Sequence, residues 1–403
     1  MDSEISSADL LKEILNERNL LIVQDIDGVC VPLVKDPLTR EIDVKYVQAA
    51  KSLNSEFAVL TNGEHEGLRG VNRVVERAYA KAGITYNEDF YLPGLAAGGI
   101  EYQNRLGEVK YPGVSEKELD FLNRLPKEME RLLNKNLIEI FPLLKSVQIE
   151  SLAKSAVIST KFSPTINLNG IFSTIPNDIA LQKRIQSMLR ELMSDLLISA
   201  NDEGLEDSFY LHIAPNLGKS DNKERLKFAS LGDVGTTDIQ FMLSGAIKEA
   251  GLLVLINKYV QEKFGRSPLG DDFNVRNAPK SLLAIKSLCH EQIREGEMPI
   301  LIGVGDTVTS NPSPDGKGWL RGGSDRGFLT LIQELGRIYK KENRIVLVDS
   351  SHGEVDRPTL SDNELKGISD PYDPLQFNTY FRGGPKSYVE WFKQLAKERN
   401  IGI

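Results

Sequence analysis

Asp25 and Asp27 are the residues of this chain best placed to do chemistry. They stand two apart in Asp25-Ile26-Asp27-Gly28-Val29, directly after the apolar run Leu20-Leu21-Ile22-Val23. Burying a carboxylate without a partner is costly, so two acids leaving the end of a buried strand need compensation. A bound Mg²⁺ and a chemical role for both acids would supply it. A calcium loop of the EF-hand kind is excluded. Val29, Cys30, Val31, Pro32 and Leu33 follow where alternate oxygen ligands would be needed.

The surrounding pattern positions these acids. Leu20–Gln24 reads as a buried strand. Asp43 is suited to cap a helix over Val44–Leu53. Phe57–Leu60 is a second apolar strand ending at Thr61-Asn62-Gly63, and a helix over Leu68–Ala82 stops at Gly83. Strand–helix–strand units predict a parallel sheet with right-handed crossovers. Ligands of such sheets bind beyond the carboxyl ends of the strands, where Asp25 and Thr61 lie. The pattern returns late, with a helix over Lys280–Arg294 and a strand Ile300–Val304 ending at Gly305-Asp306. A helix Phe328–Tyr339 with Asp325 near its start follows, then a strand Ile345–Val348. Between them, helical stretches at Glu116–Leu133, Ile179–Ile198 and Ile239–Phe264 mix with short strands at Ala156–Phe162 and Phe209–Ala214. The expectation is an α/β core, residues 1–94 and 273–403, carrying an inserted α+β domain over 95–272.

The order of these pieces resembles the four motifs of the haloacid dehalogenase (HAD) superfamily. The resemblance implies a Rossmann-like parallel-sheet core with a cap domain of the second type. It also implies Mg²⁺-dependent phosphoryl transfer. Asp25 would be the nucleophile and Asp27 the general acid and base. Thr61 Oγ and backbone N–H groups around Asn62 and Gly28 would hold the phosphoryl oxygens. The motif lysine would be Lys280, with Lys219 as its rival. The metal would be held by the Asp25 carboxylate, the Asp27 backbone carbonyl and Asp306. In many relatives a second acid follows within a few residues. Here Thr307-Val308-Thr309-Ser310-Asn311-Pro312 follows, so Asn311 or Ser310 would stand in, with Asp315 a weaker substitute. Glu64 and His65 are candidates to face the substrate.

Composition narrows the function. A net charge of −8 over 403 residues argues against nonspecific nucleic-acid binding. It leaves an anionic small molecule open. Cys30 and Cys289 form no CxxC unit or disulfide framework and read as buried thiols in a reducing compartment. Met1-Asp2-Ser3-Glu4 starts no signal peptide, and the longest apolar run, Leu252–Ile256, is far too short to span a bilayer. The expected location is cytoplasmic, with no membrane partner.

A closer likeness rests on three segments. They are Gln24 to Leu33, Leu60-Thr61-Asn62-Gly63-Glu64-His65, and Gly303 to Asn311 with its unusual ending. Together they look like the cyanobacterial glucosylglycerol-phosphate phosphatase family. This likeness implies hydrolysis of 2-O-(α-D-glucosyl)-glycerol 3-phosphate to glucosylglycerol, a compatible solute. The alternatives are a phosphatase of sucrose, trehalose or mannosylglycerate phosphate, a phosphomutase, and a non-catalytic sugar-phosphate sensor. Release of free phosphate separates the hydrolases from a mutase. A sensor has no need of Asp27.

Overall fold

The structure, a computed structural model, describes residues 4–220, 223–313, 316–360 and 365–401. The chain divides into two compact units, Met1–Gly113 with Gly245–Ile403, and Val114–Ser244.

The first unit is α/β. Its first half contains α1 (Ser7–Leu15), β1 (Leu20–Gln24), α2 (Val44–Ser52), β2 (Phe57–Leu60) and α3 (Val71–Lys81), followed by β3 (Gly94–Ala96), β4 (Glu101–Gln103) and β5 (Val109–Lys110). Asp43 caps α2 by accepting the Lys45 N–H at 2.8 Å, and Gly83 takes φ +69° just past α3.

The second unit is α+β. It contains α4 (Glu116–Ile140), α5 (Ser146–Ala156), β6 (Val157–Ile158), β7 (Thr165–Asn167), α6 (Asn169–Phe172) and α7 (Ile179–Asp202). The strands β8 (Phe209–Ala214), β9 (Asn216–Ser220), β10 (Lys223–Leu226) and β11 (Asp238–Leu243) complete it. Its main sheet has the order β6-β7-β11-β8 and is antiparallel throughout. Stacked Phe121 and Phe209, with Phe241 beside them, fill its core.

The chain then completes the first unit with α8 (Lys248–Phe264), α9 (Leu282–Gln292), β12 (Ile300–Gly305) and a hairpin of β13 (Thr309–Pro312) and β14 (Trp319–Gly322). The last elements are α10 (Arg326–Tyr339), β15 (Arg344–Val348), β16 (Thr379–Phe381) and α11 (Gly384–Ile401).

The core sheet runs β16-β15-β12-β1-β2-β3-β4-β5. The strands from β16 through β3 pair in parallel, as the crossover pattern predicts. β1 is central, with Gln24 in register with Val304 of β12 and Val59 of β2. That register brings the residues after these three strands to one edge.

Two expectations are corrected. The predicted insert, 95–272, extends past the second unit at both ends. β4 and β5 continue the core sheet as antiparallel strands, and α8 packs on β2 and β3. A side chain at Gly251 would lie 2.6 Å from Leu60 Cδ1, so glycine lets α8 approach the sheet. The predicted helix Ile239–Phe264 is instead strand β11 followed by α8. Ile239, Phe241 and Leu243 follow the two-residue period of a strand. Gly245, at φ +87°, then turns the chain where a Cβ would fall 2.5 Å from the Val275 carbonyl.

Among the described residues no helix is long and apolar enough to cross a membrane. Cys30 and Cys289 are both buried free thiols.

Candidate active site

Asp25 leaves the end of β1 as a buried residue, its N–H donating to the Val304 carbonyl at 3.0 Å. Its Oδ1 accepts the Ile26 N–H at 2.7 Å, and its Oδ2 lies 2.6 Å from Lys248 Nζ. Lys248 is the first residue of α8 and only 3% exposed. Its ammonium also meets Asp325 Oδ1 at 2.6 Å and lies 5.6 Å from the centre of the Phe328 ring. Burial opposes the charge of Lys248, but Asp25 and Asp325 outweigh it and hold the ammonium above its ordinary range.

Asp306 follows β12, and Asp325 stands just before α10. Asp325 is fully buried. Its Oδ2 accepts the N–H groups of Asp306 and Thr307, each at 2.9 Å. The carboxylate thus fixes the turn that carries Asp306. A side chain at Gly305 would fall 2.7 Å from Asp325 Oδ2, so glycine is needed for this approach.

Asp25, Asp306 and Asp325 each offer a ligand atom within 4.8 Å of the others. Asp306 Oδ2 is buried without a hydrogen-bond partner. Burial, together with the neighbouring acids, raises Asp306 to about 8, and burial raises Asp25 to about 6 against the pull of Lys248. Three buried carboxylates facing one ammonium suit a divalent cation, which needs oxygen ligands and would neutralise the excess charge.

Thr61 ends β2 and is buried. Its N–H donates to the Leu95 carbonyl at 2.9 Å, and its Oγ1 accepts the Gly63 N–H at 3.3 Å. Asn62 is half-buried in this turn. Asp27 is the more open of the paired acids, its side chain 31% exposed and bonded to Arg40.

Several sequence expectations are placed elsewhere. Lys280 is exposed on a bend before α9, away from the contacts that Lys248 makes with Asp25 and Asp325. Lys219 lies on β9 in the second unit. Asn311 sits in the β13–β14 hairpin, paired with Leu320, and the third carboxylate beside Asp25 and Asp306 is Asp325. Ser310 donates to Asp370 at 2.5 Å, and Asp315 lies outside the described residues.

Gly28 does not offer its amide to a ligand. Its N–H donates to the Val31 carbonyl at 2.7 Å. Its contribution is space, since a Cβ there would fall 2.2 Å from Asp306 Oδ2. His65 is fully buried, with Nε2 3.3 Å from the Gly94 carbonyl, and burial lowers its imidazole to about 4. It is a neutral ring enclosed against β3, with no face open to a substrate. Glu64 is likewise buried.

The sequence reading missed Lys248, Asp325 and Arg40. The alternation in β11 and the glycine after it were the available signal for Lys248, because they place the start of a buried helix there. Asp325 was visible only as an acid ahead of an amphipathic helix.

The family model for glucosylglycerol-phosphate phosphatase matches residues 19–396. A glucosylglycerol-phosphate phosphatase from Synechocystis sp. is 42% identical over 395 residues, covering 95% of this chain and 94% of that protein. Among solved structures, a trehalose-6-phosphate phosphatase domain from C. albicans aligns at TM-score 0.46 and 13% identity, over 98% of each chain. One from Aspergillus fumigatus aligns at TM-score 0.40 and 10% identity, over 98% of this chain and 100% of that one. These two structural likenesses are too loose to carry function; the sequence match, which spans both units and every acid of the site, does carry kinship. The chain belongs to the glucosylglycerol-phosphate phosphatase family.

Proposed function

We propose that this chain is a Mg²⁺-dependent phosphatase that hydrolyses 2-O-(α-D-glucosyl)-glycerol 3-phosphate to glucosylglycerol and phosphate. The observation that carries the reading is Asp25. It is a buried carboxylate at the end of the central strand, paired with Lys248 and grouped with Asp306 and Asp325. The near full-length identity to a glucosylglycerol-phosphate phosphatase supports the choice of substrate.

Asp25, Asp306 and Asp325 would hold the Mg²⁺. When bound, the ion would neutralise phosphoryl charge and help align the reacting atoms. An Asp25 oxygen attacks phosphorus, and the bond from phosphorus to the glyceryl oxygen breaks. Asp27 gives its proton to that oxygen, so glucosylglycerol leaves as a neutral alcohol. The product of this half is a phosphoryl group on Asp25 and an ionised Asp27. Asp27 then takes a proton from water as the water oxygen attacks the same phosphorus. The bond to Asp25 breaks, inorganic phosphate leaves, and both acids return to their starting states.

Lys248 balances the charge of Asp25 and of the incoming phosphoryl oxygens. The Thr61 hydroxyl and the turn at Asn62 and Gly63 orient those oxygens. The absence of a membrane-spanning helix among the described residues fits a cytoplasmic enzyme of a small substrate.

Phosphate release from the glucosylated ester and from glycerol 3-phosphate, with and without Mg²⁺, tests the reading. The expected result is turnover that requires the ion, vanishes in Asp25→Asn, and favours the glucosylated ester by one to two orders of magnitude in kcat/KM. A few hydrogen bonds of roughly 1 kcal/mol each account for that ratio. Full activity in excess chelator, or equal kcat/KM for the two esters, refutes it.

A further inference from the structure

We propose that Arg40 is a positioning residue that holds the Asp27 carboxylate at the open edge of the phosphate-binding turn. The proposal rests on the acid–base role given to Asp27 above and assigns a residue that acts through it.

Arg40 is built into place from both ends. Asp36 accepts the Leu38 N–H at 2.9 Å and starts a short 3₁₀ turn, Pro37–Thr39, directly before it. Arg77 on α3 donates to the Arg40 carbonyl at 3.1 Å. The guanidinium is tied equally well. Nε donates to the Pro37 carbonyl at 3.2 Å, and Nη2 donates to the Arg69 carbonyl. Nη1 meets both oxygens of Asp27, at 3.1 and 2.8 Å. The Arg40 side chain is 8% exposed.

These contacts divide the labour within the pair. A guanidinium anchored through Nε and Nη2 to two backbone carbonyls has little freedom left. Its planar fork fixes where the remaining nitrogen points. Asp27, on the more open side, is the partner whose orientation is being set. The carbonyls bring no charge, so the guanidinium also attracts the Asp27 carboxylate in the ionised form it takes after giving up its proton. The attraction therefore keeps the acid at one address.

That address is the phosphate turn. A Cβ at Gly63 would lie 3.7 Å from Thr61 Oγ1, 3.8 Å from Asp27 Oδ2 and 3.9 Å from Arg40 Nη1. Glycine leaves that point open, bounded by a hydroxyl, a carboxylate and a guanidinium. A leaving-group oxygen bonded to a phosphorus held by Thr61 would enter this neighbourhood. Holding Asp27 there places a proton donor and acceptor beside the breaking bond. Misplacing a general acid by about 1 Å is enough to cost on the order of 100-fold in rate.

A double-mutant cycle in kcat tests the inference on the full chain, with Mg²⁺ and the glucosylated ester, using Arg40→Gln, Asp27→Asn and their combination. Arg40→Gln is expected to lower kcat by about 10- to 100-fold while KM changes by less than about threefold. The double variant should be no slower than Asp27→Asn, because Arg40 has nothing left to position. Arg40→Lys, which keeps the charge without the fork, should fall between wild type and Arg40→Gln. If Arg40→Gln does not fold, Arg40→Lys and its combination with Asp27→Asn run the same cycle.

Wild-type kcat in the Arg40 variants overturns the proposal. So does a raised KM at unchanged kcat, which would mark a substrate contact. Losses that multiply in the double variant also overturn it, since they mark a role independent of Asp27. Wild-type turnover in Asp27→Asn instead overturns the acid–base assignment beneath it, and the Arg40 role with it.

Discussion

Lys248→Met removes the ammonium that bonds Asp25 and Asp325 while keeping most of the buried aliphatic stem. Both bonds are 2.6 Å long and all three side chains are nearly or wholly enclosed. The variant therefore leaves buried carboxylates facing each other with their cation gone. Breaking a buried ion pair from one side costs roughly 3–5 kcal/mol. At about 2–4 °C per kcal/mol for a domain of this order of size, the melting temperature should fall by roughly 6–20 °C at neutral pH. The loss should shrink as pH falls, because losing Lys248 removes the pull that holds Asp25 down and its carboxyl then protonates more readily, relieving the repulsion. Added Mg²⁺ should recover part of it. Turnover should fall by about 100- to 1,000-fold, the usual effect of removing one charge-stabilising donor. Lys280→Met is the control. Lys280 is exposed, so its replacement should change stability by no more than about 0.5 kcal/mol and leave turnover intact. Thermal melting at pH 5 and pH 7.5, with phosphate release on the same samples, reads all of these. A Lys248→Met protein with wild-type melting and turnover, or a Lys280→Met protein that is inactive, would refute the reasoning.

Gly28→Ala should lose turnover and most of the thermal stabilisation by Mg²⁺, since the new Cβ would fall 2.2 Å from Asp306 Oδ2 at a backbone φ of +83°; an active, metal-responsive variant would show that Asp306 can move aside. The pH dependence of the metal-free protein follows from Asp25 and Asp306, raised to about 6 and about 8 from the ordinary aspartate value of 3.8. The folded state then binds more protons than the unfolded state between about pH 4 and 8. These two groups therefore lower stability as pH rises through that window. Mg²⁺ displaces the same protons, so its stabilising shift in melting temperature should grow from pH 5 to pH 8; a shift that stays flat or shrinks would contradict the placement of these acids in a metal site.

The sequence by itself determined the parts of the site that sit at strand ends. Leu20–Gln24 and Phe57–Leu60 are short apolar runs, and each meets a polar residue where it leaves the sheet. That change of character is local, so Asp25, Asp27, Thr61 and Asp306 stand out in the sequence at or just past strand ends, and the resemblance to the HAD motifs is what groups them into one candidate site. Helix limits shifted by a few residues. Val71 rather than Leu68 begins α3, for instance, because Gly70 supplies its N-cap.

What the tertiary structure decided was which distant side chains complete the site. Lys248 lies more than two hundred residues after Asp25, and its local sequence reads as the interior of one long helix. The partners of Lys248 are set by how α8 packs over β2 and β3, and no spacing rule carries that information. Asp325 reaches Asp306 across a hairpin whose length fixes nothing about where its far end returns. Arg40 was invisible for the same reason, since an arginine after a turn is an ordinary surface residue until Pro37, Arg69 and Asp27 are seen around it. The reverse error has the same origin. Lys280 had the expected place in the motif order but is exposed, because the helix start that meets Asp25 is fixed by packing on the sheet.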